Sequence, residues 1–473
     1  MAKHSRLRRN GSDPMTHNEA SSGFARTLPW LIAIAGFALD VAAFWPGQMS
    51  FDSAYAWWQA RGGETTDITP PAFVLVWRAC NALIEGPGLV FALHLVLFWS
   101  GLALLAGALR VGPLRTTTIL LVAAFAPVPW LLRGHVWTDV GLFSALLFAT
   151  GALARAHVTH RRRWILAALP ALFYAATVRH NALPAMLPAA IWLVWLASGR
   201  VASLARIAVL STVLCAMMIV AAVAIDASVQ RRVPLWVAAA EWDLAALSIA
   251  SGQMLLPPFM IGPGLDVAEL AGAFREWSMV PMLQNTQHGM RDPFADDYTK
   301  AQLTELREAW FDGIRAHPGA WLAHHARRVV AILGVHDPSW PRELIYVDDE
   351  FHYRDNPPVA RNVSALHQAL MVGAARLSGT SLLAGWPYLL AGVLAAPVAW
   401  RRRRELAGLC AILLLTSAWL YLLPLLVLVP AELRYLGWSC LASVLAVALA
   451  VLVPRSFRNG PVKLVFSPRR MSR

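Results

Sequence analysis

A polar motif, Phe51-Asp52-Ser53, stands just outside the first hydrophobic segment of the chain, which ends at Trp45-Pro46-Gly47. A carboxylate at a membrane surface can act as a general base that takes a proton from a hydroxyl acceptor. A structural role is the alternative, because Asp52 or Ser50 could cap a short helix that begins near Ser53. The motif therefore predicts either a reaction centre or a helix start.

Three further connections between hydrophobic segments also carry polar and ionisable side chains. They are Arg133, His135 and Asp139 in the first, Arg179, His180 and Asn181 in the second, and Glu432, Arg434 and Tyr435 in the third. Arginine at such a position can hold a phosphate by charge-assisted hydrogen bonds, and a nearby carboxylate can act as a base. The alternatives are a capping role for Asp139 and an interfacial ion pair between Glu432 and Arg434.

Two more residues are candidates for this chemistry from other positions. Asp40 lies inside the first hydrophobic segment, where a carboxylate needs a partner, either Arg179 or a polar group on another span, and it is a second candidate for a functional acid. Trp57 could stack on a sugar ring, although an interfacial aromatic belt explains most of the 21 tryptophans. The histidines of the long polar segment, such as His324, His325, His336 and His352, lack metal-ligand spacing and are expected at the surface.

The composition limits the class of protein to which these residues belong. Hydrophobic residues make up 57% of the 473 residues and charged residues 15%, whereas soluble domains contain about 25% charged residues. The apolar runs are long enough to cross a bilayer and lack a two-residue alternation, so they predict membrane helices and not a β-barrel. The four cysteines are predicted to be small apolar core residues, and no metal site is indicated.

The basic residues predict the orientation of the chain in the membrane. With the N-terminus in the cytoplasm, the inner segments hold 23 Lys and Arg residues and the short outer segments hold five, as the positive-inside rule requires. The net charge of +13 is therefore a property of membrane topology and not of a nucleic-acid-binding face. Both termini are expected in the cytoplasm, and all four polar connections are expected on the outer side.

We predict an all-α polytopic membrane protein with about ten spans, in a range of about 10 to 12. The predicted spans are 28–45, 88–109, 119–132, 140–154, 164–178, 183–197, 204–225, 382–400, 406–429 and 436–453. A basic tail (1–27) precedes an N-terminal module of seven spans (28–225), whose first outer loop covers 46–87. A mostly helical outer domain (226–381), a module of three spans (382–453) and a second basic tail (454–473) follow. Apolar spacing in the outer domain predicts helices over 298–317 and 361–377, with Pro318 starting another.

These motifs resemble those of the integral-membrane glycosyltransferases of the GT-C fold, in particular the bacterial branch related to protein mannosyltransferases and aminoarabinose transferases. The features that carry the resemblance are Pro46-Gly47, Phe51-Asp52-Ser53, Pro70-Pro71, Trp137-Thr138-Asp139, Arg179-His180-Asn181, Trp242-Asp243-Leu244, His317-Pro318 and Arg434-Tyr435. The resemblance implies a bacterial plasma-membrane enzyme that moves a sugar from a polyprenyl-phosphate carrier to a glycan, lipid or protein acceptor on the outer face.

The resemblance also implies roles for single residues. Asp52 matches the catalytic base of the first outer loop, and Arg179 or Arg434 would hold the lipid phosphate. We expect the substrate site to be lined by His135, Asp139, Arg179, His180, Asn181, Glu432, Arg434, Tyr435, Trp57 and Asp40. Some members require a divalent cation, but this chain lacks the paired acidic motif that the first loop of such enzymes carries.

Two other functions fit the same pattern of spans and outer arginines. One is a polysaccharide polymerase or ligase that uses a lipid-diphosphate donor. The other is a transporter or flippase for lipid-linked sugars, for which we would expect broken spans, charges at mid-membrane and often an internal repeat. The polar residues of this chain gather at one surface, and only Asp40 lies deeper, so the pattern favours the transferase.

Overall fold

The structure is a computed structural model, and it describes residues 15–179, 181–199, 202–294, 297–335, 353–360, 362–428 and 432–454. All longer regular elements within these ranges are helices, and the β contacts are isolated bridges. The predicted all-α class is therefore confirmed for the described part of the chain.

Ten helices form the N-terminal part of the described chain. They are α1 (Met15–Phe44), α2 (Phe51–Ala60), α3 (Pro71–Asn81), α4 (Gly88–Leu109), α5 (Pro113–Ala124), α6 (Pro127–Arg133), α7 (Thr138–Thr159), α8 (Arg162–Thr177), α9 (Leu183–Ser198) and α10 (Leu204–Asp226). The remainder comprises α11 (Trp236–Ser251), α12 (Val267–Ala273), α13 (Val280–Asn285), α14 (Lys300–Ala316), α15 (Pro318–Ile332), α16 (Ala365–Leu377), α17 (Trp386–Arg401), α18 (Leu406–Leu428) and α19 (Gly437–Leu452).

Six helical segments of the described chain are long and apolar enough to cross a membrane. They are Arg26–Phe44, Gly88–Leu109, Thr138–Thr159, Leu204–Asp226, Leu406–Leu425 and Leu433–Leu452. Helices α5 and α6 pass the same test together but meet at an angle of 65°, which makes a seventh span if the bent pair counts as one. The chain is therefore a multi-pass helical membrane protein.

The predicted number of about ten spans is not confirmed, because three of the predicted spans coincide with shorter helices. Helices α8, α9 and α17 have 16 residues each, so each is about 24 Å long, whereas a bilayer core is about 30 Å thick. Each of them also contains an internal proline. Proline removes a backbone donor and disfavours a long uninterrupted helix.

The main core of the bundle is built from small residues that let helices approach closely. Helices α4 and α7 meet where Gly101 and Gly151 face each other, and a Cβ atom on Gly151 would lie 2.3 Å from the Gly101 carbonyl oxygen. Interfaces of this kind are typical of membrane helices, which associate through close packing of small side chains. Helix α10 differs, since only 22% of its span is buried.

A second apolar core lies in the segment between α10 and α17. It is formed by α11 to α14 and includes Trp242, Leu244, Met260 and Leu306. Helix α14 confirms the helix predicted over 298–317, and Pro318 opens α15 at its first turn. Helix α15 contributes Ile332 to the main core, so it connects the second core to the membrane bundle.

Candidate functional site

The start of helix α2 places Asp52 beside the membrane bundle. Ser50 occupies the N-cap position of α2, and its hydroxyl accepts a hydrogen bond from the Trp137 indole at 2.8 Å. The Ser53 hydroxyl donates to the Val136 carbonyl oxygen at 2.8 Å. Ser50 therefore fills the capping position, and Asp52, whose side chain is 55% exposed, sits in the first turn of the helix. The predicted helix start is therefore confirmed, with Ser50 and not Asp52 at the cap.

Arg434 holds the centre of the site, just before helix α19. Its Nη1 atom forms an ion pair with the Asp52 carboxylate, and its Nε atom lies 2.5 Å from Glu432 Oε2. The Nη2 atom donates to the Tyr435 hydroxyl at 3.1 Å. One guanidinium group thus joins two carboxylates from distant parts of the chain.

Arg179 forms a second ion pair in the connection between α8 and α9. Its Nη1 atom pairs with Asp139 in the first turn of α7, and its Nε atom donates to Asn181 Oδ1 at 3.1 Å. The Tyr435 ring lies 4.8 Å from the Arg179 guanidinium and 5.0 Å from that of Arg434. Tyr435 therefore links the two ion pairs into one cluster at the ends of four helices.

His135 lies beside this cluster and forms its wall together with Trp137. Its ring stacks on Trp137 with 3.9 Å between the ring centroids, and the Trp137 ring lies 5.2 Å from the Arg434 guanidinium. The backbone of His135 pairs with Gln48 as an isolated bridge. His135 is buried, so it supports the arginine site through Trp137. His180 was also predicted at this site and lies outside the described residues.

Asp40 does not join the cluster. Its carboxylate accepts two hydrogen bonds from Arg133, from Nε at 2.8 Å and from Nη2 at 3.1 Å. The Trp99 indole donates at 2.7 Å and the Trp130 indole at 3.3 Å. Asp40 therefore has Arg133 as its partner and not Arg179, and with both side chains 1% exposed the pair is sealed inside the bundle.

Trp57 also lies apart from the cluster of ion pairs. Its ring is 3% exposed and belongs to the main apolar core. It lies on the buried side of α2, whereas Asp52 is on the exposed side. A buried ring has no face that a sugar could stack on, so the predicted contact is not supported by this placement.

Burial and neighbouring charges shift the pKa values at the site. Burial and the Asp52 carboxylate raise the pKa of Glu432, and Arg434 counteracts part of this rise. Burial alone would lower the pKa of Arg179, but the Asp139 carboxylate and nearby tyrosines raise it above its ordinary value. One of these is Tyr421, a buried residue of α18 that carried no signal in the sequence because it sits within an apolar run.

The carboxylates of the cluster face arginines and not one another. Among the described residues, no group of three or more His, Cys, Asp or Glu side chains is arranged to hold a metal ion. The three carboxylates of the cluster are instead joined to two arginines. Within the described part of the cluster, the carboxylates therefore do not form a set of ligands for a divalent cation.

Two of the histidines predicted to lie at the surface, His324 and His325, are buried, which corrects the prediction for them. His336 and His352 lie outside the described residues. His324 and His325 are both on α15 and face Asp243 of α11. The Nδ1 atom of His324 lies 2.7 Å from Glu276, and Asp243 accepts from the Trp321 indole at 2.8 Å. Burial lowers the pKa of His324, and Glu276 counteracts this in part. These contacts tie α15 to the second core.

The structure thus brings together most of the predicted site residues. Those in the cluster or its wall are Asp52, His135, Asp139, Arg179, Asn181, Glu432, Arg434 and Tyr435. An exposed carboxylate beside two arginines can combine base chemistry with anion binding. Comparison with protein-family models, with curated proteins and with solved structures finds no match to this chain.

Proposed function

We propose that this protein is a membrane glycosyltransferase that moves a sugar from a polyprenyl-phosphate carrier to a hydroxyl acceptor. The observation that carries the proposal is the ion-paired cluster of Asp52, Glu432 and Arg434 with Asp139 and Arg179. It combines an exposed carboxylate with two arginines at one end of a membrane bundle. The resemblance of its motifs to GT-C enzymes adds support, and we propose a GT-C-like bundle.

The proposed reaction is a single displacement at the anomeric carbon. The Asp52 carboxylate takes the proton of the acceptor hydroxyl, and the acceptor oxygen attacks the anomeric carbon. The bond from that carbon to the phosphate oxygen breaks, and its electron pair stays on the phosphate. The leaving phosphate gains negative charge in this step, so Arg434 and Arg179 stabilise the transition state more than the bound donor. The configuration of the sugar inverts.

We propose that the reaction takes place on the outer face of the bacterial plasma membrane. The support is the distribution of basic residues, with 23 Lys and Arg residues assigned to inner segments and five to short outer ones. The cluster is built from connections on the side that is poor in basic residues. The phosphate of a carrier lipid embedded in the bilayer lies at the membrane surface, where it would meet the arginines of the cluster.

The experiment is a comparison of labelled donors. Membranes containing the overproduced protein are incubated with polyprenyl-monophosphate sugars or polyprenyl-diphosphate sugars, each labelled in the sugar, and the labelled glycan, lipid and protein fractions are separated. Membranes with Arg179→Gln or Arg434→Gln protein at equal abundance are the controls.

The proposal predicts that label leaves the monophosphate donor and enters a new covalent product, and that both arginine variants lower the yield. Transfer from the diphosphate donor alone would indicate a polymerase or ligase. Label that crosses the membrane while still attached to its carrier would indicate a flippase. Either of these results would overturn the proposal.

A further inference from the structure

The proposed base and one proposed phosphate ligand are bound to each other. Arg434 forms an ion pair with Asp52 through Nη1, while Nε lies 2.5 Å from Glu432 and Nη2 donates to the Tyr435 hydroxyl at 3.1 Å. The Arg434 side chain is 14% exposed, so the contact with Asp52 is at the open edge of the site. Asp52 is the most exposed of its partners.

This arrangement has a chemical consequence for the proposed reaction. The Asp52 Oδ2 atom accepts a hydrogen bond from Arg434 Nη1, so the proposed base is held by the proposed phosphate ligand. A phosphate group needs the same guanidinium N–H donors that Asp52 occupies, and bidentate geometry makes arginine a strong phosphate ligand. Asp52 and the donor phosphate therefore compete for Arg434.

We infer that Arg434 couples donor binding to base release: the donor phosphate displaces Asp52 from Arg434, and only then is Asp52 able to take the acceptor proton. This inference rests on the proposed function and adds an order of events to it. The donor binds first, and the acceptor is activated second. Without a donor, Arg434 stays paired with Asp52.

Glu432 and Tyr435 are positioning residues in this scheme. They hold Nε and Nη2 of Arg434, while the Trp137 ring packs on the same guanidinium. Arg434 can therefore exchange its partner at Nη1 without moving as a whole. Asp139, whose side chain is 4% exposed, holds Arg179 in the same way, so a phosphate would meet two arginines that are already oriented.

The test is equilibrium binding of radiolabelled undecaprenyl phosphate to purified full-length protein in detergent, with undecaprenol as the control that lacks the phosphate. Asp52→Asn removes the competitor for Arg434, so we expect this variant to bind undecaprenyl phosphate about three- to tenfold more tightly than the wild type. The double variant Asp52→Asn with Arg434→Gln should lose that gain. Glu85→Gln, which alters an exposed ion pair with Arg61 in the same loop, should bind like the wild type.

The outcomes separate this inference from the function on which it rests. If a folded Asp52→Asn variant binds undecaprenyl phosphate as tightly as the wild type, or less tightly, the inference is overturned. Binding of undecaprenyl phosphate by the wild type would still support the proposed donor class. If the wild type does not bind undecaprenyl phosphate better than undecaprenol, the donor class itself is wrong and both proposals fail. If Asp52→Asn does not fold, Asp52→Ala provides the same test, because it removes the same exposed carboxylate from Arg434 Nη1, and unchanged binding there would again overturn the inference.

Discussion

Replacing Asp40 by Asn should destabilise the protein strongly without acting on the reaction directly. The Asp40 carboxylate accepts four hydrogen bonds, two from Arg133 and one each from Trp99 and Trp130. Both members of the ion pair are 1% exposed. Removing one charge leaves the other buried and uncompensated, which costs about 3–5 kcal/mol. The Asn amide can also accept at only one of its two terminal atoms.

The same reasoning predicts recovery when both charges are removed. Asp40→Leu combined with Arg133→Met replaces the pair by apolar side chains, and such replacements of buried ion pairs are often neutral or stabilising. The assay is the thermal midpoint of detergent-solubilised protein, read from the fraction that stays monodisperse after heating. Asp312→Asn, in an exposed ion pair with Arg315, is the matched control and should change stability by less than about 0.5 kcal/mol.

A functional role for Asp40 would produce a different result. If Asp40→Asn kept the wild-type midpoint while glycosyl transfer was lost, the carboxylate would be acting in the reaction and the structural role would be refuted. If the double variant were no more stable than Asp40→Asn alone, the explanation from an uncompensated charge would be wrong.

Two further predictions concern the second core and the bundle. Glu241 is buried in α11 without a hydrogen-bond partner among the described residues, and burial raises its pKa well above the ordinary value. At a pH above the ordinary pKa of glutamate, Glu241 loses its proton in the unfolded chain but keeps it in the folded chain. The free energy of unfolding therefore falls as the pH rises. Glu241→Leu should raise the thermal midpoint more at pH 8 than at pH 5, and an equal change at both would contradict this account. Gly151→Ala should cost about 1–3 kcal/mol, because its Cβ would meet the Gly101 carbonyl oxygen. Gly272→Ala in α12, where a Cβ meets nothing within 4 Å, should be neutral or slightly stabilising, and an equal loss in both variants would argue against the helix contact.

Hydropathy was sufficient to predict the long spans and the gathering of the site residues. Each long span is a continuous apolar run. Alternation of the ten predicted spans places the connections that carry the site residues on one side. This is why the proximity of Asp52, Arg179 and Arg434 could be expected before any contact was known. The helix over 300–316 followed from apolar spacing, with Pro318 marking the next start.

The helices and side chains that pack beside one another could not be predicted in the same way. Asp40 was expected to pair with Arg179 or with a polar group on another span, and its partner is Arg133. The choice between these partners depends on which helices lie side by side, and packing between residues that are distant in the chain decides that. The same limit applies to Trp57, which faces the core, and to His324 and His325, which face Asp243. A single sequence shows that a residue is polar or aromatic, but the face on which it ends up is decided by tertiary contacts.

The most direct test of the central claim is glycosyl transfer by the Asp52→Asn variant with the labelled polyprenyl-monophosphate donor. The substitution removes the basic oxygen and keeps the shape of the side chain. If Asp52 is the general base, transfer should fall by at least about a hundredfold, while the protein stays monodisperse and still binds undecaprenyl phosphate. Transfer within about twofold of the wild type by a folded variant would contradict the account.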